Sequence, residues 1–178
     1  EGSNDVNVLL ARGEGLFDAS ESYPTGRVAM SITSADIDGD GFLDLVTADT
    51  SETATLLFGS EDGRFPRQAR LAIGPEPRAV VALDLEMDGD VDLVMVSMSN
   101  DWTDSSHPSI AWAENDGNNH FTTTWALDTA PVELITLDVG DIDGDGRADL
   151  VAGRLRVPTT VAPESTGIAV WLSGKGTP

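Results

Sequence analysis

Three short segments concentrate side chains that could hold a metal ion. Residues 36–46 read DIDGDGFLDLV, residues 84–94 read DLEMDGDVDLV and residues 141–151 read DIDGDGRADLV. Each fits the pattern D-x-[DE]-x-D-G-x-x-D. Alternate positions of a tight loop turn their oxygens inward, so positions 1, 3, 5 and 9 can supply carboxylates. Position 7 can supply a backbone carbonyl, and the glycine at position 6 permits the bend. The expected ligands of the first loop are Asp36, Asp38, Asp40 and Asp44, with the carbonyl of Phe42. Those of the second are Asp84, Glu86, Asp88 and Asp92, with the carbonyl of Asp90. Those of the third are Asp141, Asp143, Asp145 and Asp149, with the carbonyl of Arg147.

An all-oxygen donor set suits calcium, whereas magnesium resists dehydration and seldom occupies a cage built only from protein. Asp-Gly clusters also mark ordinary turns. Three copies with four carboxylates each at matching spacing favour the metal, because so many like charges repel strongly without a divalent ion. About three Ca2+ ions are therefore expected, in a structural role. The second loop is the least regular, since Glu86 is longer than aspartate and Met87 stands where the others have glycine. An EF-hand is excluded. Its twelfth position should be a bidentate glutamate, and here it is Thr47, Met95 or Ala152.

The elements around the loops read as strands. The first aspartates, Asp36, Asp84 and Asp141, lie 48 and 57 residues apart, a period that suits a propeller blade. A second motif alternates with the first: an apolar run followed by a glycine turn, at 6–17, 54–65, 110–121 and 168–178. Aligned on Gly15, Gly63, Gly117 and Gly176, the residues five earlier are Leu10, Phe58, Trp112 and Trp171, read as positions packed between sheets. Each unit then runs strand A, acidic loop, strand B, connector, strand C, glycine turn, strand D. The expected strands are 27–34, 43–49, 54–59 and 65–73 in the first unit, and 78–83, 91–98, 109–114 and 121–127 in the second. The third has 133–139, 148–153 and 168–173. The B strands are nearly continuous apolar runs, as expected of strands covered on both faces. Gly, Pro, Asp and Thr interrupt every candidate helix.

The expected fold is thus all-β, with propeller-like blades of four antiparallel strands. The expected units are a partial blade at 1–24 (strands C and D), blades at 25–75 and 76–130, and a third at 131–178 lacking its last strand. A closed propeller needs at least about four blades. This chain is therefore expected to be an incomplete ring, either an excerpt of a longer protein or one completed through its open strand edges.

Composition narrows the partners. There are 31 acidic residues against 10 basic ones, a formal charge of −21. That balance argues against nucleic acid and against an anionic membrane surface. With 40% hydrophobic residues in strand-length clusters, the chain is not expected to be disordered. The absence of cysteine excludes disulfides and thiolate chemistry. No apolar run approaches the length needed to span a bilayer, and no signal peptide is evident at the N-terminus.

With these residues in view, the chain resembles the FG-GAP or VCBS repeats of integrin-α-type β-propellers. The three acidic loops carry the likeness, with LLFGSEDGRF, WAENDGNNHF and WLSGKG. The resemblance implies that each loop joins the first two strands of a blade and holds calcium structurally. Glu86, Met87, the longer second spacing and a count short of the family's usual seven blades depart from it.

No enzymatic role is expected: G-x-S-x-G, H-E-x-x-H and phosphate-binding glycine loops are absent. Of the two histidines, His120 belongs to a C–D turn and is expected to be exposed. The B–C connectors vary most in length, and loops on rigid scaffolds carry function. Trp102 and His107, in the second connector, are the candidate ligand contacts. The expected function is an extracellular or cell-surface calcium-binding repeat protein for adhesion or for a protein or glycan ligand. The alternatives are a structural subunit that binds further copies of itself through strand edges, and a non-catalytic module of a larger secreted enzyme.

Overall fold

Leu and Val follow the last aspartate of each acidic loop, and these residues start a strand rather than a helix because both faces are apolar. In a computed structural model of the chain, residues 4–74, 76–97, 110–125, 133–155 and 168–171 are described. The N-terminal segment forms β1 (Asp5–Val8), β2 (Ala11–Gly13), β3 (Leu16–Phe17) and β4 (Glu21–Pro24). The first full unit comprises β5 (Ala29–Ala35), β6 (Asp44–Asp49), β7 (Thr53–Phe58) and β8 (Arg67–Ala72). The second comprises β9 (Pro77–Leu83), β10 (Asp92–Ser97), β11 (Ile110–Asn115) and β12 (Phe121–Trp125). The third comprises β13 (Glu133–Gly140), β14 (Asp149–Leu155) and β15 (Ile168–Trp171).

No helix occurs among the described residues, and so none is long and apolar enough to cross a membrane. Each full unit is a meander of four antiparallel strands in sequence order, and the third shows three. The innermost strands β5, β9 and β13 lie side by side, so the sheets stack as successive blades. Among the described residues they do not close into a barrel or ring.

Strand ends follow local chemistry. The first A strand starts at Ala29 rather than residue 27, because Val28 adopts a positive φ of 47°, a conformation hostile to a β-branched side chain. The opening C–D pair is split. β1 pairs with β4, while β2 and β3 form a separate tip around Gly13, Glu14 and Gly15, all with positive φ.

Strand register corrects the alignment made on the turn glycines. Leu45 pairs with Leu57, Leu93 with Ala113 and Leu150 with Trp171, which makes those three partners equivalent. Trp112 therefore takes the place of Leu56, and Glu114 that of Phe58. The C–D turn is shorter in the second unit: Phe58 pairs with Arg67, whereas Asn115 pairs with Phe121. Phe58 is buried and Trp112 partly buried, as expected, but Leu10 is exposed.

The core lies between the blades, not inside any one of them. On β10, Leu93 and Met95 join Val46, Ala48, Leu56 and Phe58 of the first unit. Val94 and Val96 of the same strand turn the other way, to Leu134, Leu137 and Ala152 of the third. The alternation of a strand places successive side chains on opposite faces, so one strand serves two cores.

Loop-to-loop spacing makes Ile32, Val80 and Leu137 equivalent. Val80 and Leu137 are 2% and 8% exposed against the preceding unit, whereas Ile32 is 51% exposed. The N-terminal hairpin meets the first blade at its C–D turn, through an edge contact of Tyr23 with Phe65 and the Arg64–Glu21 ion pair. Val80→Ala is expected to cost about 1.5–3 kcal/mol and Ile32→Ala less than about 1 kcal/mol. Urea unfolding of the two variants checks the contrast.

Candidate metal centres

The acidic loops are wrapped by their own carboxylates. Asp36 Oδ2 accepts the amide of Gly41 at 2.9 Å. Asp84 accepts those of Asp88 and Gly89, both at 3.0 Å. Asp141 accepts those of Gly144, Asp145 and Gly146 at 2.8–3.1 Å. At the fifth position Asp40, Asp88 and Asp145 accept the amides of Phe42, Asp90 and Arg147 at 2.9–3.0 Å. Such turns need left-handed backbone. The sixth position supplies it as glycine, with φ of 90° at Gly41, 98° at Gly89 and 87° at Gly146. The fourth position needs it too, which the motif did not reveal. Gly39 and Gly144 adopt it freely, while Met87 holds φ at 63° with its side chain in solvent.

The ninth aspartate behaves differently from the rest. Asp44 is buried at the start of β6. Its Oδ2 accepts the amide of Ile37 at 2.9 Å and its Oδ1 that of Gly59 at 2.7 Å. Asp92 repeats this with Leu85 and Asn115, both at 2.8 Å, and Asp149 accepts Ile142 at 2.8 Å. Burial pushes the carboxyls of Asp44 and Asp92 above the usual range, against the two amide bonds each accepts. The neighbouring acids Asp38 and Asp40, and Asp88 and Asp84, push the same way. The clasps of Asp44 and Asp92 tie the first two acidic loops to the end of strand C, so the two share one end of the blade. Asn115 extends the tie across units, since its side-chain amide donates to the carbonyls of Ile37 and Val91, both at 3.2 Å.

Acids converge in two of the three loops, and in the third the ninth aspartate is one of them. Carboxylate oxygens of Asp36, Asp38 and Asp40 lie within 4.8 Å of one another, as do those of Asp141, Asp143 and Asp149. The Oδ1 atoms of Asp36 and Asp38 are buried and accept no hydrogen bond. A buried anionic oxygen without a donor is costly, and a hard cation would satisfy both at once. The donor set of the first loop therefore fits calcium. The second loop gathers no such triad. Asp84 spends both oxygens on amides. Glu86 is exposed at the rim, its carboxyl pushed up by desolvation and then by Asp92, Glu114, Asp88 and Asp84.

His120 is exposed beside Asp116 in the C–D turn. Trp102 and His107 lie outside the described residues.

Asp44→Asn turns an amide NH2 toward a buried backbone N–H. It is expected to cost about 1–3 kcal/mol both in calcium and in chelator, as thermal melts in the two conditions would show. Met87→Gly relieves left-handed strain of about 1 kcal/mol. It is expected to stabilise the protein slightly, while Gly89→Ala destabilises it by about 1 kcal/mol or more. Paired chemical denaturation curves measure both.

No curated protein matches the chain. The FG-GAP-like repeat family matches it three times, over residues 1–47, 36–95 and 84–152. The second and third matches start at Asp36 and Asp84, the first aspartates of two acidic loops, so the family's repeat runs from loop to loop. With three overlapping matches spanning residues 1–152, this chain belongs to the FG-GAP-like repeat family.

Proposed function

We propose that this chain is a calcium-stabilised, non-catalytic repeat scaffold that works outside the cell, in adhesion or in holding a protein or glycan ligand. The observation that carries the reading is the first loop. Three carboxylates converge within 4.8 Å there, and the buried Oδ1 atoms of Asp36 and Asp38 accept no hydrogen bond. The third loop, with Asp141, Asp143 and Asp149 converging, is the second site. The second loop is the weakest, because its acids do not converge and Glu86 stands exposed at the rim.

Calcium acts here as a structural ion that neutralises each hairpin end. Extracellular modules bind calcium with Kd on the order of 10⁻⁴–10⁻³ M, which suits millimolar calcium outside cells. The ligand surface would lie on the B–C connectors, where Trp102 and His107 are the proposed contacts.

A second reading is favoured by Met30 and Ile32, apolar and exposed on the innermost strand of the first blade. In that reading the chain is a structural subunit whose sheet edges and uncovered face are completed by another strand pair.

Calcium at a hundredfold excess over Kd adds about 2.7 kcal/mol per site, or roughly 5–10 °C in melting temperature for a chain of this size. Melting with calcium, with magnesium and with chelator, alongside elemental analysis of the purified protein, tests this. An identical melt in all three conditions, with no bound calcium, overturns the calcium reading.

A further inference from the structure

We propose that Arg67 is a built-in counter-ion of the first acidic loop, which steadies the empty loop and lowers its affinity for a divalent cation. The inference rests on the calcium reading above. Arg67 opens β8, opposite Phe58 in the ladder and far from the loop in sequence. Its guanidinium carbon sits 3.8 Å from the centroid of the Phe58 ring, and its Nη2 donates to Asp38 Oδ2. Phe58 is itself buried in the core between the first and second blades, so the platform under the guanidinium is fixed.

Asp38 is the residue for which such a partner matters. Its side chain is only 9% exposed, so water solvates its charge poorly, and it lies beside Asp36 and Asp40. The two oxygens of Asp38 are divided: Oδ2 faces Arg67, and Oδ1 is buried without a hydrogen bond. One oxygen thus remains for a metal ion while the other is held by a positive charge. That charge offsets the repulsion among three close carboxylates when no ion is bound, and it repels a divalent ion when one arrives. A planar guanidinium stacked on an aromatic ring is well placed for both effects. Among the described residues no cationic side chain pairs with the acids of the second loop.

The test uses the full chain with Asp88→Asn and Asp143→Asn, so that the first loop remains the competent site. Calcium affinity is measured by calorimetry, and melting is followed in chelator. Arg67→Met keeps the stem over Phe58 and removes the charge. Arg67→Gln removes the charge and keeps a donor for Asp38, and Arg67→Lys keeps the charge. The neutral variants are expected to bind calcium about three- to tenfold more tightly and to melt lower in chelator, with Arg67→Lys close to the parent. Unchanged or weaker binding in both neutral variants, while the parent still binds, overturns the role of Arg67 alone. A parent chain that binds no calcium overturns both this inference and the calcium reading beneath it.

Discussion

A buried carboxylate at the start of each second strand is the interaction on which the rest of this architecture depends. Asp44 and Asp92 each give both oxygens to backbone amides, one inside the acidic loop and one at the end of strand C. A charge removed from water is tolerable only when its lone pairs are met, and amide donors meet them here. The consequence is a division of labour within nine residues. In the first loop the ninth position locks the hairpin to the sheet, the first and fifth positions wrap the turn, and the oxygens left over converge. An ion would therefore finish a loop that hydrogen bonds have already shaped.

The same clasp sets the stacking. By holding the loop against the C–D turn, it presents the second residue of the loop to the neighbouring blade. Ile37 is buried in the core between the first and second units, whereas its equivalent Ile142 in the last unit is exposed. Cores that form between units tie stability to neighbours, as in other repeat architectures. They also leave an apolar face wherever no inner strand packs against it, as at Met30 and Ile32.

Much of this was legible in the sequence, and what was not has a common cause. The strands, their antiparallel order and the two-sided burial of the B strands follow from apolar runs between Asp-Gly turns, which are local signals. The irregularity of the second loop was visible in Glu86 and Met87. The distinct role of Asp44 and Asp92 was not, because in the motif they look like further ligands. Only Gly59 and Asn115, brought back by strand C, show them to be clasps. The equivalence of Trp112 with Leu56 was hidden for a similar reason, since it depends on the unequal C–D turns. The pairing of Arg67 with Asp38 likewise joins residues that no spacing rule connects.

Asn115 gives the molecule a direction in time. Its amide reaches the Ile37 carbonyl, 78 positions earlier in the chain. During synthesis, the Ile37 carbonyl therefore waits for the second blade to emerge before this donor reaches it. Assembly at this seam works backward, with the second unit completing a contact of the first. A cut at the seam between the first two blades would leave the Ile37 carbonyl without this donor, while the Asn115 amide would keep only Val91. The units repeat in sequence, but they are not exchangeable cassettes.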